Sequence, residues 1–265
     1  MLACPLCRQP LLDEGARFGC PSGHHFDRSR DGYVHLLDPG RGGRRPHGDD
    51  REMVAARRRF LDAGHYRPLY DALARFIPRG SGLLDVGCGE GYFTGALSGD
   101  SVIGVDVSQP AVRLAAKAYR TALFVVASGA SLPILDASVD VAVSVFAPVF
   151  PDELARVVRP GGAAVVVVPG AAHLDGLRAL LYREQVPHDE QVPLDGVPGF
   201  TAETANRLQF ALTLRRDALA DLVGMTPYRY AVPDALARVS DIPDLTTHAA
   251  FSLRLFRREA VDIHS

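Results

Sequence analysis

The sequence predicts an α/β protein: a doubly wound, largely parallel sheet preceded by a small metal-binding module. Three observations carry this. Five short apolar runs alternate with helix-like stretches between residues 81 and 183. A glycine-rich turn follows the first of these runs. Three of the chain's four cysteines fall within its first 20 residues, with a histidine four positions after the third.

The module comes first. Cys4, Cys7, Cys20 and His24 read C-x2-C-x12-C-x3-H, two chelating pairs separated by a loop. That is the spacing of a tetrahedral zinc site, and four protein ligands leave no open position, so the metal is expected to be structural. Spacing alone also admits His25 as the fourth ligand. Residues 1–37 are assigned to this module. Residues 38–52, "DPGRGGRRPHGDDRE", carry glycine, proline and charge without an apolar face, which marks a linker or arm. From Met53 a helical pattern begins, through Phe60, Leu61, Tyr66, Leu69, Leu73 and Phe76. Residues 38–80 therefore form an Arg-rich linker and helical connection.

The apolar runs are 81–87, 102–107, 122–127, 139–146 and 163–169, with helices expected at 91–98, 110–120, 151–158 and 171–183. Continuous apolar strands alternating with helices imply a parallel sheet covered on both faces. That is a Rossmann-like arrangement, assigned to 81–265. The proline-rich stretch 184–200 reads as a surface loop. From 206 onward "RLQFALTL", a helix at 216–223, "MTPYRYAV", a helix at 233–239 and "HAAFSLRLFRR" read as the last strands of the sheet, including an antiparallel edge pair.

Composition narrows the setting. No run of about 18 apolar residues occurs, so no membrane-spanning helix is expected. An apolar signal-peptide core is absent, and four cysteines suit metal binding or free thiols in a reducing compartment, so the expected location is cytoplasmic. The net charge of −2 hides a split: residues 1–59 hold eleven Arg against eight acids, hence +3, and the remainder is −5. Arg41, Arg44 and Arg45, then Arg57, Arg58 and Arg59, are candidate phosphate contacts.

"LLDVGCGEGYF" (83–93) places Gly87, Gly89 and Gly91 between a strand and the next element. Glycines there let backbone approach a ligand closely. Asp85 precedes the turn, and Asp106 ends the second strand, where an acid accepts both hydroxyls of a ribose. The D-x-G-x-G-x-G spacing resembles the cofactor motif of class I S-adenosylmethionine methyltransferases. So does the order of the downstream segments: the turn at Ser128 to Leu132, which in that class flanks adenine, and "ELARVVRPGGAAVVVVP" (153–169).

The acceptor is narrowed by the residues that replace familiar motifs. "SVFAPVF" (144–150) stands where exocyclic-amine methyltransferases carry Asn/Asp-Pro-Pro-aromatic. The large domain's one cysteine, Cys88, lies inside the glycine loop, poorly suited to pyrimidine carbon-5 chemistry. A ring nitrogen, an oxygen or a small molecule is left.

"CPLC…CPSGHHFDRSRDGYVHLL", "MVAARRRFLDAGHYRPL", "LDVGCGEGYFT", "FAP" and "ELARVVRPGG", in this order, resemble the RlmA family of 23S rRNA guanine-N1 methyltransferases, which includes macrolide-resistance enzymes. The resemblance runs from residue 4 to about 257. It implies S-adenosylmethionine as methyl donor and a zinc module that helps recognise a hairpin loop in domain II of 23S rRNA. It also implies a homodimer, and places His24 rather than His25 on zinc. Tyr66, Phe93, Thr94 and His173 fall on cofactor-contacting positions. The bacterial branch stays open, because "SVFAP" leans towards the resistance enzymes and "GCG" does not, so the particular guanine is not specified. Backbone carbonyls near Ala147 and Pro148 are candidates to orient the base. Two other readings compete: a small-molecule methyltransferase of secondary metabolism, and a non-catalytic RNA-binding protein that keeps a cofactor pocket.

Overall fold

A computed structural model of the chain describes residues 1–37, 49–78, 82–182, 188 and 190–260. The arginines 41, 44 and 45 lie outside the described residues.

The N-terminal segment forms a three-stranded antiparallel sheet, β1 (Leu12–Asp13), β2 (Arg17–Gly19) and β3 (His25–Asp27), followed by a two-residue strand β4 (Val34–His35). Two helices come next. α1 (Arg51–Asp62) is capped by Asp50, whose carboxylate accepts from the Glu52 and Met53 amides. α2 (Arg67–Phe76) buries Leu69 and Leu73, as the apolar spacing requires.

The main sheet is built from β5 (Gly82–Val86), β6 (Ser101–Asp106), α3 (Gln109–Ala118), β7 (Leu123–Val126), β8 (Val139–Val145), α4 (Pro151–Val157), β9 (Val158–Pro169) and α5 (Asp175–Leu181). The chain then runs through β10 (Phe200–Arg215), α6 (Arg216–Met225), α7 (Tyr228–Ala231), α8 (Ala235–Ser240) and β11 (Asp244–Arg258). The strand order is β10-β11-β9-β8-β5-β6-β7-β4. β11 lies antiparallel between β9 and β10, which is the expected antiparallel edge pair. At the other edge β4 pairs parallel with β7, Val34 opposite Val125 and His35 opposite Val126. The N-terminal module thus contributes a strand to the main sheet. Arg8 extends the join by donating to the Leu132 and Ile134 carbonyls, and the Leu36 amide donates to the Val126 carbonyl.

Four expectations change. The helix expected at 91–98 is only a 3₁₀ turn, Thr94–Ala96. Gly91 holds a left-handed φ of 87°, and Gly91 and Gly95 lie tight against the Tyr119 ring, which pulls the backbone off helical geometry. The Pro-Gly-Gly of residues 160–162, a turn in the methyltransferase class that this segment resembles, runs within β9, whose pairing with β8 shifts register between Val139 and Val141 of β8, and Gly161 takes a φ of 74°. "MTPYRYAV" contains the short helix α7 rather than a strand. Of the helix expected at 171–183, a turn occupies the first residues and α5 spans Asp175–Leu181.

Two apolar layers sandwich the sheet. Phe251 of β11 is buried in one of them, against Tyr66 and Phe146. Phe251→Ala is expected to cost about 3–5 kcal/mol, read as a lowered denaturant midpoint with unchanged m-value.

Candidate functional site

Two sites emerge, one in the N-terminal module and one at the carboxyl ends of the parallel strands.

Cys4, Cys7, Cys20 and His24 converge, with all four ligand atoms within 4.8 Å of one another. The Cys7 and Cys20 sulfurs are 3.6 Å apart, and His24 Nδ1 lies 3.5 Å from Cys4 Sγ and 3.4 Å from Cys20 Sγ. Zn–S bonds of about 2.3 Å and a Zn–N bond of about 2.0 Å give tetrahedral edges of roughly 3.5–3.8 Å. The cluster therefore fits zinc, through Nδ1 of His24. His25 is on β3, its ring turned to Glu14 at 4.0 Å. The Gln9 amide lowers the Cys7 thiol to about 6, which favours the thiolate that a metal needs. The Cys20 and His24 backbones close their own turn, Cys20 N donating to the His24 carbonyl.

The second site is built around the glycine loop. Gly87, Gly89 and Gly91 all adopt left-handed φ, at 76°, 54° and 87°. The Gly87 and Cys88 amides donate to the Val105 carbonyl, and Gly89 N donates to Asp106 Oδ2 at 2.9 Å. Ser108 N occupies Asp106 Oδ1 at 2.7 Å. Asp106 is thus held at the end of β6 with its remaining lone pairs available, and burial raises its pKa. Asp85 is buried under the loop, its Oδ2 accepting from Thr94 Oγ1 at 2.6 Å. Burial pushes Asp85 up to about 7. Ser128 stands just past β7, whose Val126 pairs with Asp106, so it sits on the side where adenine is expected. A left-handed loop, two carboxylates and a polar turn along one sheet edge form a cradle that fits a nucleoside cofactor.

The other expected residues gather beyond the loop. Tyr66 lies where α1 and α2 meet, its ring 6.4 Å from Phe146, 6.3 Å from His173 and 5.1 Å from Phe251. Phe93 meets Phe146 at 6.0 Å. His173 is buried in the turn after β9, where its Nδ1 accepts from the Ala250 amide, so Nε2 carries the hydrogen. Burial lowers its pKa to about 3 and keeps it neutral. Ala147 presses against Gly87, and its carbonyl accepts from the Ser144 hydroxyl at 3.3 Å; Pro148 is exposed beside it.

Arg57, Arg58 and Arg59 each have an acidic partner, and Arg58 and Arg59 stay at the surface. Arg57 points inward over the glycine loop, paired with Asp49 and 3.8 Å from Glu90. Arg58 is tied to Asp62 and Arg59 to Asp221. All three lie on α1, whose buried face is set by Met53, Val54, Ala56, Phe60 and Leu61, and the helix turn rotates Arg57 towards the core side.

Several residues escape sequence reasoning. Glu90 is buried, with Oε2 lacking a hydrogen bond. Phe146 takes a left-handed φ of 57° and is 41% exposed, unusual for an aromatic at a strand end. His188 stands 5.9 Å from His173, its Nε2 3.3 Å from the Tyr228 hydroxyl. The signal for Phe146 is present in the odd "SVFAP" run; nothing local marks His188.

Comparison with known proteins gives a consistent result. A family model described as "Methyltransferase domain" matches residues 84–166, and one described as "RlmA, N-terminal" matches residues 2–39. A "putative 23S rRNA (guanine-N(1)-)-methyltransferase" of Micromonospora griseorubida is 39% identical, with 97% of each chain covered. The "23S rRNA (guanine(748)-N(1))-methyltransferase" of Streptomyces fradiae is 37% identical over 92% of this chain and 91% of its own. Among solved structures, the YcgJ protein of Bacillus subtilis superposes with a TM-score of 0.53 at 18% identity, covering 74% of this chain and 100% of that one, which supports the fold.

The geometry sets two expected outcomes. Cys20→Ser is expected to lose its zinc by metal analysis and to unfold at lower temperature. Gly87→Ala combines a φ of 76° with a Cβ 2.2 Å from that of Ala147, so calorimetry should show S-adenosylhomocysteine affinity falling more than ~10-fold.

Proposed function

Because the chain belongs to the RlmA family of 23S rRNA guanine-N1 methyltransferases, we propose that it acts on a hairpin loop in domain II of 23S rRNA and does so as a homodimer. It is an S-adenosylmethionine-dependent enzyme that methylates N1 of a guanine in 23S rRNA. One observation carries the reading: the segment that holds a Cys₃His cluster fit for zinc adds its strand β4 to the sheet that carries the glycine loop, so a substrate-selecting module and a methyl-donor site form one unit.

S-Adenosylmethionine supplies an electrophilic methyl group on a sulfonium. The rest of the work falls to the chain. Asp106 would accept from the ribose hydroxyls, Ser128 would border adenine, and the backbone of Gly87, Gly89 and Gly91 would let the cofactor lie close to the sheet edge. Asp85 braces the loop through Thr94. Tyr66, Phe93 and His173 bound the methionine end, where their packed rings exclude water from the transfer. The acceptor base must leave its loop to reach this edge. Pro148, exposed beside Phe146, borders the path of the base. A methyl at N1 blocks Watson–Crick pairing, and in the drug-binding tunnel of the ribosome it would alter macrolide susceptibility.

The module joins the sheet at its β4 edge, beyond β7, with β6 between β7 and the strand that carries the glycine loop. That separation argues for a role in substrate choice rather than chemistry. A Cys20→Ser protein should therefore bind S-adenosylhomocysteine while losing activity on 23S rRNA.

Primer extension across the domain II hairpin in a deletion strain tests the reading, because N1-methylguanine stops reverse transcriptase. The stop should vanish on deletion and return on complementation. A stop that persists without the gene contradicts it. Transfer of label only to small molecules favours the secondary-metabolism reading, and no transfer at all favours a binding protein.

A further inference from the structure

The glycine loop carries a charge that the cofactor cradle does not account for. Glu90 stands between Gly89 and Gly91, buried, and its Oε2 has no hydrogen bond among the described residues. A buried carboxylate oxygen without a donor is costly unless a positive charge stands close. Arg57 supplies one, with its Nη1 at 3.8 Å from that oxygen. Burial pushes the Glu90 carboxyl up to about 7 against the pull of Arg57.

Arg57 reaches the loop from α1. A Cβ placed on Gly89 would lie 3.4 Å from Arg57 Nη1, so the guanidinium rests on the bare face of that glycine. Its Nη2 pairs with Asp49. The Asp49 carbonyl accepts from Ser108 Oγ at 2.9 Å, and the Ser108 and Gly89 amides both donate to Asp106. These contacts close a ring through Arg57, Asp49, Ser108, Asp106 and Gly89, with one cation among three carboxylates. Against the cost of burial, Glu90, Asp49 and Asp106 together raise the Arg57 pKa. The three acids differ in their alternatives. The Asp49 side chain is 33% exposed and can turn to water, and Asp106 has its two amides. Glu90 Oε2 relies on Arg57.

We propose that Arg57 is a positioning residue for the methyl donor: by holding its charge against Glu90 it keeps the glycine loop closed on Asp106 in the shape that the cofactor needs. The inference rests on the S-adenosylmethionine reading above. Without the guanidinium, the buried carboxylate takes up a proton or leaves the interior. Leaving drags on Gly89 and Gly91, its chain neighbours, and on their left-handed conformations. α1 also ends at the turn that presents Tyr66, so one helix supports both the loop and that ring.

The test is S-adenosylhomocysteine affinity by calorimetry at pH 8, for wild-type, Arg57→Lys, Arg57→Met and Arg57→Met/Glu90→Gln proteins, each with a thermal melt. Arg57→Met is expected to bind ~10-fold or more weakly. Arg57→Lys keeps the charge and should lose less. Adding Glu90→Gln to Arg57→Met should recover most of the loss, because no buried charge is then left without its partner. A side chain that only packed against the loop would show no such recovery. Wild-type affinity in Arg57→Met overturns the proposal. So does a double variant as weak as Arg57→Met, or Arg57→Lys as weak as Arg57→Met. If Arg57→Met does not fold, the double variant decides: a folded, binding protein supports the proposal and an unfolded one overturns it. A wild-type protein that binds no S-adenosylhomocysteine overturns the cofactor reading and this inference together, an outcome distinct from the others.

Discussion

The Asp106 carboxylate holds the rest of the site in place. One of its oxygens takes the Gly89 amide and the other takes the Ser108 amide, so a single side chain pins the glycine loop to the start of α3. The loop is then closed from the other side by Gly87 and Cys88 amides on the Val105 carbonyl. These bonds lie in a buried setting, where an unmade one costs about 1–3 kcal/mol, so the left-handed glycines are held in conformations that side-chain-bearing residues rarely adopt. Asp85 braces the same loop from beneath through Thr94.

The zinc module extends this order outward. Through β4 it becomes the last strand beyond β7, and through Arg8 it grips the carbonyls of Leu132 and Ile134. Those carbonyls belong to the segment that begins at Ser128, beside the expected adenine pocket. Asp31 adds ion pairs to Arg113 and Lys117 of α3, and Tyr33 accepts from Gln109. A module fixed to α3 and β7 keeps a constant distance from the glycine loop. That gives a physical reason for a structural metal at a distance from the glycine loop.

Much of this is legible in the sequence. The five apolar runs become the parallel strands because burial on both faces demands continuous apolar residues. The metal ligands are legible because chelate spacing is short-range, and the structure turns His24 rather than His25 into the cluster. Long-range packing hides the rest. The expected helix after the glycine loop fails because Gly91 and Gly95 meet Tyr119, a contact made across β6 and α3. Arg57 reads as a surface charge until α1 is placed over Glu90 and Asp49. A two-residue strand such as β4 leaves no periodic trace.

Nucleoside analysis of 23S rRNA after incubation with the purified protein and methyl-labelled S-adenosylmethionine tests the central claim most directly. The account predicts label in N1-methylguanosine alone. Label in any other nucleoside, or none in the RNA, would contradict it.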